Sequence, residues 1–154
     1  MVSVDKVRGV PTVLVYGDDP AFRERIRLAA GRLPGGSALG PVDYLEADAS
    51  GAVVRAVDAG GIDVLVLDGE AWPAGGLGVC RQLKHEVASC PPILVVIARE
   101  ADRWLAKWSL ADAVLTTPLD PADVASELTR LLTHAAETEV VPAARTGLMR
   151  RILG

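Results

Sequence analysis

Short apolar runs recur along the chain, and segments with a helical repeat of apolar positions lie between them. Thr12–Tyr16 (TVLVY) predicts a buried strand. Gly17-Asp18-Asp19-Pro20 then reads as a strand-to-helix junction, with Asp19 suited to cap the helix and Pro20 to its first turn. Phe22, Ile26, Ala29 and Leu33 give that helix one apolar face, and Pro34-Gly35-Gly36 closes it. Val42–Ala47 alternates and predicts a weaker, edge-side strand. Ser50 is expected to cap a helix with Val53, Val54 and Val57 inward, stopped by Gly60-Gly61. Asp63–Leu67 (DVLVL) is a continuous apolar strand ended by Asp68. A Gly/Pro-rich loop, Gly69–Gly76, leads to a helix with Leu77, Cys80, Leu83, Lys84 and Val87. Ile93–Ala98 (ILVVIA) is a buried strand, and a short helix over about Ala101–Leu110 carries Trp104 and Trp108 one turn apart. Ala113–Thr116 is a last strand. Pro118 breaks it, Asp120 caps, and Pro121 opens a helix with Val124, Leu128, Leu131 and Leu132 inward.

Five strands alternate with five helices, which defines an α/β fold: a doubly wound parallel (βα)5 sheet with helices on both faces. Ligands in such sheets bind beyond the carboxyl ends of the strands, at the topological switch point. In the flavodoxin-like strand order, 2-1-3-4-5, that point lies between the first and third strands. Those strands end at Gly17-Asp18-Asp19 and at Asp68, so these carboxylates should converge in space. Such a cluster can hold a hard divalent ion such as Mg²⁺, or one member can attack phosphorus as a nucleophile. The plainer alternative is that Asp18 or Asp19 only caps a helix and Asp68 merely ends a strand.

The 154 residues suit one domain, and 50% of them are hydrophobic. The expected organisation is an N-terminal extension over 1–10, the folded domain over 11–137 and a tail over 138–154. A net charge of −4 argues against a nucleic-acid binder that relies on phosphate contacts. The charge is uneven, because residues 140–154 hold Arg145, Arg150 and Arg151 with no acid, leaving −7 on the rest. That basic, apolar tail either docks on an acidic surface or is a solvated end. Cys80 and Cys90 have no metal-binding spacing and fit free thiols in a reducing compartment. With no signal-peptide pattern and apolar runs of only about six residues, a cytoplasmic protein without membrane contact is expected. The segment Gly75-Gly76-Leu77-Gly78 lacks the endings of a phosphate-binding fingerprint and fits a loop that makes room for backbone beside Asp68.

Four segments, in order and spacing over about Pro11–Ala136, resemble a response regulator receiver (CheY-like) domain. VLVYGDDPAFRERIRLAA resembles the opening strand, acidic turn and first helix. IDVLVLDGEAWPAGGLGVCRQLK resembles the phosphoacceptor strand, its loop and the third helix. PPILVVIA resembles the fourth strand, and ADAVLTTPLDPADV the fifth strand and the start of the last helix. Gly60–Gly78 and Ala88–Val95 are also similar to segments of orphan, stand-alone actinobacterial receivers. The resemblance implies that Asp68 is the phosphoacceptor, and that Asp18 and Asp68 contact Mg²⁺, with Asp19 a further acid beside them. It implies a sensor kinase or another signalling protein as partner. It also implies contact, including homodimer contact, through the face formed by the fourth helix, fifth strand and fifth helix. Trp104 and Trp108 lie there, either as interface anchors or as covers over the core.

Four positions depart from the family pattern. Gly17 replaces an acid, which weakens the metal site. Ile97 replaces a hydroxyl residue that bonds the phosphoryl group, Val114 a switch aromatic, and Thr117 a lysine that pairs with acceptor and phosphate. Thr116 or Thr117 is the one nearby source of a replacement hydroxyl. The expectation is an atypical receiver, not an enzyme beyond self-phosphorylation, that acts through protein contacts with weak or absent phosphorylation at Asp68. The alternatives are an ordinary phospho-accepting receiver using Asp68 and Mg²⁺, and a small flavodoxin-like enzyme or nucleotide-binding protein.

Overall fold

The structure, a computed structural model, describes residues 10–31 and 41–135. Leu33, the Pro34-Gly35-Gly36 stop, nearly all of the 1–10 extension and the 138–154 tail lie outside the described residues. The elements are β1 (Thr12–Tyr16), α1 (Pro20–Ala30), β2 (Asp43–Ala47), α2 (Ser50–Ala59), β3 (Val64–Asp68), α3 (Gly76–Glu86), β4 (Ile93–Ile97), α4 (Arg103–Trp108), β5 (Ala113–Thr116) and α5 (121–135). A 3₁₀ turn, Glu100–Asp102, opens α4. All strands pair in parallel in the order β2-β1-β3-β4-β5, so the sheet is the expected flavodoxin-like one.

The continuous apolar runs serve two cores at once, because successive strand side chains point to opposite faces. Val13, Val15, Val64, Val66, Leu94 and Val96 pack with Phe22 and Ile26 of α1 and with Val124, Leu128, Leu131 and Leu132 of α5. Leu14, Tyr16, Leu65, Leu67, Ile93, Val95 and Ile97 pack with Val53 and Val57 of α2 and with Val79, Cys80 and Leu83 of α3. The expected cap at Asp19 is present, its Oδ1 accepting the Ala21 N–H at 2.9 Å. Asp120 accepts the Ala122 N–H at 2.8 Å in the same way.

Several boundaries differ from expectation: β2 begins at Asp43 rather than Val42, β4 ends at Ile97 rather than Ala98, and Val87 follows α3. Ser50 is the first residue of α2 rather than its cap; Ala49 holds the cap position without a side-chain bond. Asp63 precedes β3 instead of beginning it, because its Oδ2 accepts the Thr12 N–H at 2.7 Å and closes the amino edge of β1. Asp112 does the same for β4, accepting the Ile93 N–H at 2.7 Å while paired with Lys84. Among the described residues no helix is long and apolar enough to cross a membrane.

Candidate functional site

The register of β1 and β3 pairs Tyr16 with Leu67, so Gly17 comes next to Asp68 at the carboxyl edge. A Cβ built on Gly17 would lie 3.3 Å from the Asp68 Cβ and 2.9 Å from the Phe22 ring. The position therefore lacks the acid of the family pattern, and any side chain there would have to displace the Phe22 ring. Gly76 is equally constrained: a Cβ there would lie 2.6 Å from the Asp68 carbonyl oxygen. The amino end of α3 thus packs directly on the backbone of Asp68, as the glycine-rich loop implied.

Asp18, Asp19 and Asp68 meet at this edge, but they are engaged differently. Asp68 is half-buried, and its Oδ1 accepts the Glu70 N–H at 2.9 Å. Asp18 is exposed, and its Oδ1 accepts the Trp72 N–H at 3.1 Å, tying the β1–α1 turn to the loop after β3. Asp19 is spent on capping α1. Burial raises the Asp68 carboxyl above the ordinary carboxylate range, the Glu70 N–H opposes that rise, and the charges of Asp18, Glu70 and Asp19 add to it. Among the described residues Asp68 forms no salt bridge. Tyr16 is buried beneath, its hydroxyl donating to the Ala74 carbonyl. Burial, then Asp18 and Asp68, raise its phenol as well.

The remaining departures have clear structural roles. Ile97 is fully buried and belongs to the core on the α2–α3 side. Val114 is half-buried against the same core. Thr117 is exposed, and its amide donates to the Ile97 carbonyl at 2.9 Å. The Thr116 hydroxyl donates to Glu100 in the turn before α4. Trp104 is 66% exposed and Trp108 47% exposed, so neither is a full core cover. Arg81 of α3 lies 4.5 Å above the Trp108 ring and donates to its carbonyl. Trp72, 75% exposed in the loop beside Asp68, escaped the sequence reading, since nothing in a lone loop tryptophan signals its amide bond to Asp18.

Among the described residues no group of three or more His, Cys, Asp or Glu is arranged to hold a metal ion. Mg²⁺ commonly takes one or two carboxylates and completes its shell with water. Asp18 and Asp68 each have one oxygen outside the amide bonds described above. Two carboxylates, with no acid at Gly17, are what this edge offers a hard divalent ion.

An open five-stranded parallel sheet in this order, with acids at the ends of β1 and β3, is the flavodoxin-like arrangement found in receiver domains. No family model matches the chain. It is 46% identical over 114 residues to a response regulatory protein of Mycobacterium tuberculosis, in each of two strains, covering 71% of this chain and 81% of the relative. The chain therefore belongs to the response regulator family. Among solved structures it is similar to a CheY-like receiver domain protein from Methanospirillum hungatei, with TM-score 0.69 and 13% identity over 84% of this chain and 99% of that one. A Francisella response regulator receiver domain gives TM-score 0.67 and 19% identity over 80% and 98%. A beryllofluoride-activated receiver domain gives 0.65 and 17% over 80% and 98%. At these identities the structures speak for the fold.

Proposed function

We propose that the chain is an atypical receiver acting through protein–protein contact, in which Asp68 accepts a phosphoryl group slowly and with weak support from Mg²⁺. The carrying observation is the company of Asp68: it shares the carboxyl edge with Asp18, its carboxylate accepts the Glu70 amide, and among the described residues it forms no salt bridge with a Lys or Arg. A phosphoryl group brings about −1.5 to −2 further charges to that place. Thr117 offers nothing to offset them, and buried Ile97 offers no donor.

The chemistry open to Asp68 is nucleophilic. A carboxylate oxygen forms a bond to the phosphorus of a phosphodonor, and the bond from phosphorus to the leaving group breaks with its electron pair leaving on that group. Asp18 and Asp68 would hold Mg²⁺, which supplies positive charge to the phosphoryl oxygens. Burial raises the Asp68 carboxyl above the ordinary carboxylate range, the direction that disfavours its nucleophilic, ionised form.

Output is assigned to the face of α4, β5 and α5, with exposed Trp104 and Trp108 as anchors for a signalling protein, a sensor kinase or a second copy of the chain. The family and the net charge of −4 favour a cytoplasmic signalling role without nucleic acid or membrane contact.

Incubation with Mg²⁺ and a small phosphodonor, read by intact mass, tests the reading. A slow, substoichiometric adduct that Asp68→Asn abolishes is expected. Rapid, complete modification would make the chain an ordinary phospho-accepting receiver, and co-purified nucleotide or flavin would move it out of this reading altogether.

A further inference from the structure

A phosphoryl group on Asp68 needs a counter-charge, and the cations near the carboxyl edge of the sheet differ in their freedom to provide one. Arg23 is committed: its Nη1 donates to the Gly17 carbonyl at 2.6 Å and its Nε to Glu46 of β2 at 2.9 Å. Its side chain is only 16% exposed. Arg103 forks onto Glu100, which also receives the Thr116 hydroxyl, and it lies within α4, six positions past the end of β4.

Arg99 is placed differently. Asp68 is the register neighbour of Val96 on β4, and Arg99 follows three positions later, beyond the carboxyl end of the same strand. The Gly69 N–H donates to the Val96 carbonyl at 2.7 Å, so the loop that carries Glu70 lies against that strand end. The Arg99 side chain is 74% exposed. Its guanidinium grips Asp102 as a fork, Nε to Oδ2 at 3.2 Å and Nη2 to Oδ1 at 3.0 Å. The Glu70 charge reaches it as well. Asp102 ends the 3₁₀ turn that opens α4, the helix of Trp104 and Trp108.

We propose that Arg99 is the phosphoryl-binding cation of this receiver, leaving Asp102 for a phosphoryl group on Asp68 and thereby coupling that group to the turn that opens α4. The inference rests on the reading of Asp68 as an acceptor. A carboxylate and a phosphoryl group both offer a two-oxygen edge to the planar guanidinium fork, so the same side chain serves either. The exchange has a direction. Arg99 is exposed but the Asp102 side chain is only 17% exposed, so opening the pair has a cost, which the phosphoryl group offsets by adding more than one negative charge beside Glu70 and Asp18. Release of Asp102 frees one end of the 3₁₀ turn, while Glu100, bonded to Thr116, keeps the other tied to β5. The signal then passes from β3 to α4 without the hydroxyl absent at Ile97.

The test is titration of the full chain with beryllofluoride in the presence of Mg²⁺, read by amide spectra at the end of β3 and by the Trp104 indole N–H. Arg99→Ala should raise the half-saturating concentration roughly tenfold or more, the scale of a lost charge-assisted bond, and should uncouple the Trp104 signal. Asp102→Asn should lower that concentration, and the double variant should bind as weakly as Arg99→Ala. Arg99→Ala binding like the unaltered chain overturns the proposal. If the unaltered chain fails to bind but Thr117→Lys binds, Asp68 is a usable acceptor and Arg99 is not its cation, which also overturns it. If neither binds, the acceptor reading fails and the proposal falls with it.

Discussion

The Asp18 carboxylate accepts the Trp72 amide at 3.1 Å across 54 positions of sequence, so the acidic turn after β1 also holds the loop after β3 in place. Asp18→Ala should therefore speed hydrogen exchange at the Trp72 amide while costing stability no more than about 1 kcal/mol, the net worth of one hydrogen bond. Unchanged exchange at Trp72 would show that the loop is held by its other contacts.

Asp68 should make stability fall as pH rises. Its folded-state carboxyl is raised, first by burial, so between the ordinary carboxylate value and its own the folded chain binds more protons than the unfolded one. Stability is then lost with rising pH through that window, which opens at about pH 4. Urea unfolding of Asp68→Asn and the unaltered chain over this range checks it. The variant should be the more stable at neutral pH, and the gap should close on acidification.

Restoring an acid at position 17 should have two opposed effects. The Cβ of Gly17→Asp meets the Phe22 ring at 2.9 Å, so stability should drop by about 1–3 kcal/mol, as overpacking does. The third carboxylate should at the same time strengthen Mg²⁺ binding. Gly17→Ala separates the two, with the same direction of destabilisation and no gain in Mg²⁺ affinity by calorimetry.

The two tryptophans of α4 should differ when truncated. Trp104, 66% exposed, should be replaceable by Ala with stability changed by no more than about 0.5 kcal/mol. Trp108→Ala should cost more, since its ring loses the Arg81 guanidinium at 4.5 Å, an interaction of about 0.5–1 kcal/mol, together with its buried half. Sedimentation with the kinase partner or at high chain concentration should show weakened association for both if this face is the docking surface.

The thiols should resist modification in the folded chain. Burial pushes Cys80 up to about 11 and raises Cys90 as well. At pH 8 an aromatic disulfide reagent should label half-buried Cys90 slowly and fully buried Cys80 only after unfolding. Fast labelling of both would contradict the packing of α3.

Much of this architecture is legible along the chain because it depends on local periodicity. The runs VLVY of β1, VLVL of β3 and ILVVI of β4 are nearly continuous apolar stretches, as strands must be when both faces are covered, and they lead to the parallel sheet observed. Asp19-Pro20 and Asp120-Pro121 mark helix starts because a cap needs only its own next turn. Ser50 misled for the same reason: a hydroxyl near a helix start looks like a cap, whereas extended Ala49 takes that position and Ser50 is already the first helical residue. The convergence of Asp18 and Asp68 was also readable, since strand order alone brings those strand ends together.

What each carboxylate does there was not readable, because it depends on which amides and charges the fold brings within bonding distance. Asp18 meets the Trp72 amide, Asp68 meets that of Glu70, and Thr116 turns to Glu100 instead of towards Asp68. Gly17 looked like a lost charge in sequence; folded, it is also the space taken by Phe22 and Asp68. Arg99 carried no signal at all until β4 set it beyond the loop of Asp68 and into a fork with Asp102. Periodicity is a property of neighbours along the chain and specifies strands and helices. The electrostatic surroundings of Asp68 join residues far apart in sequence, and only the packed sheet brings them together.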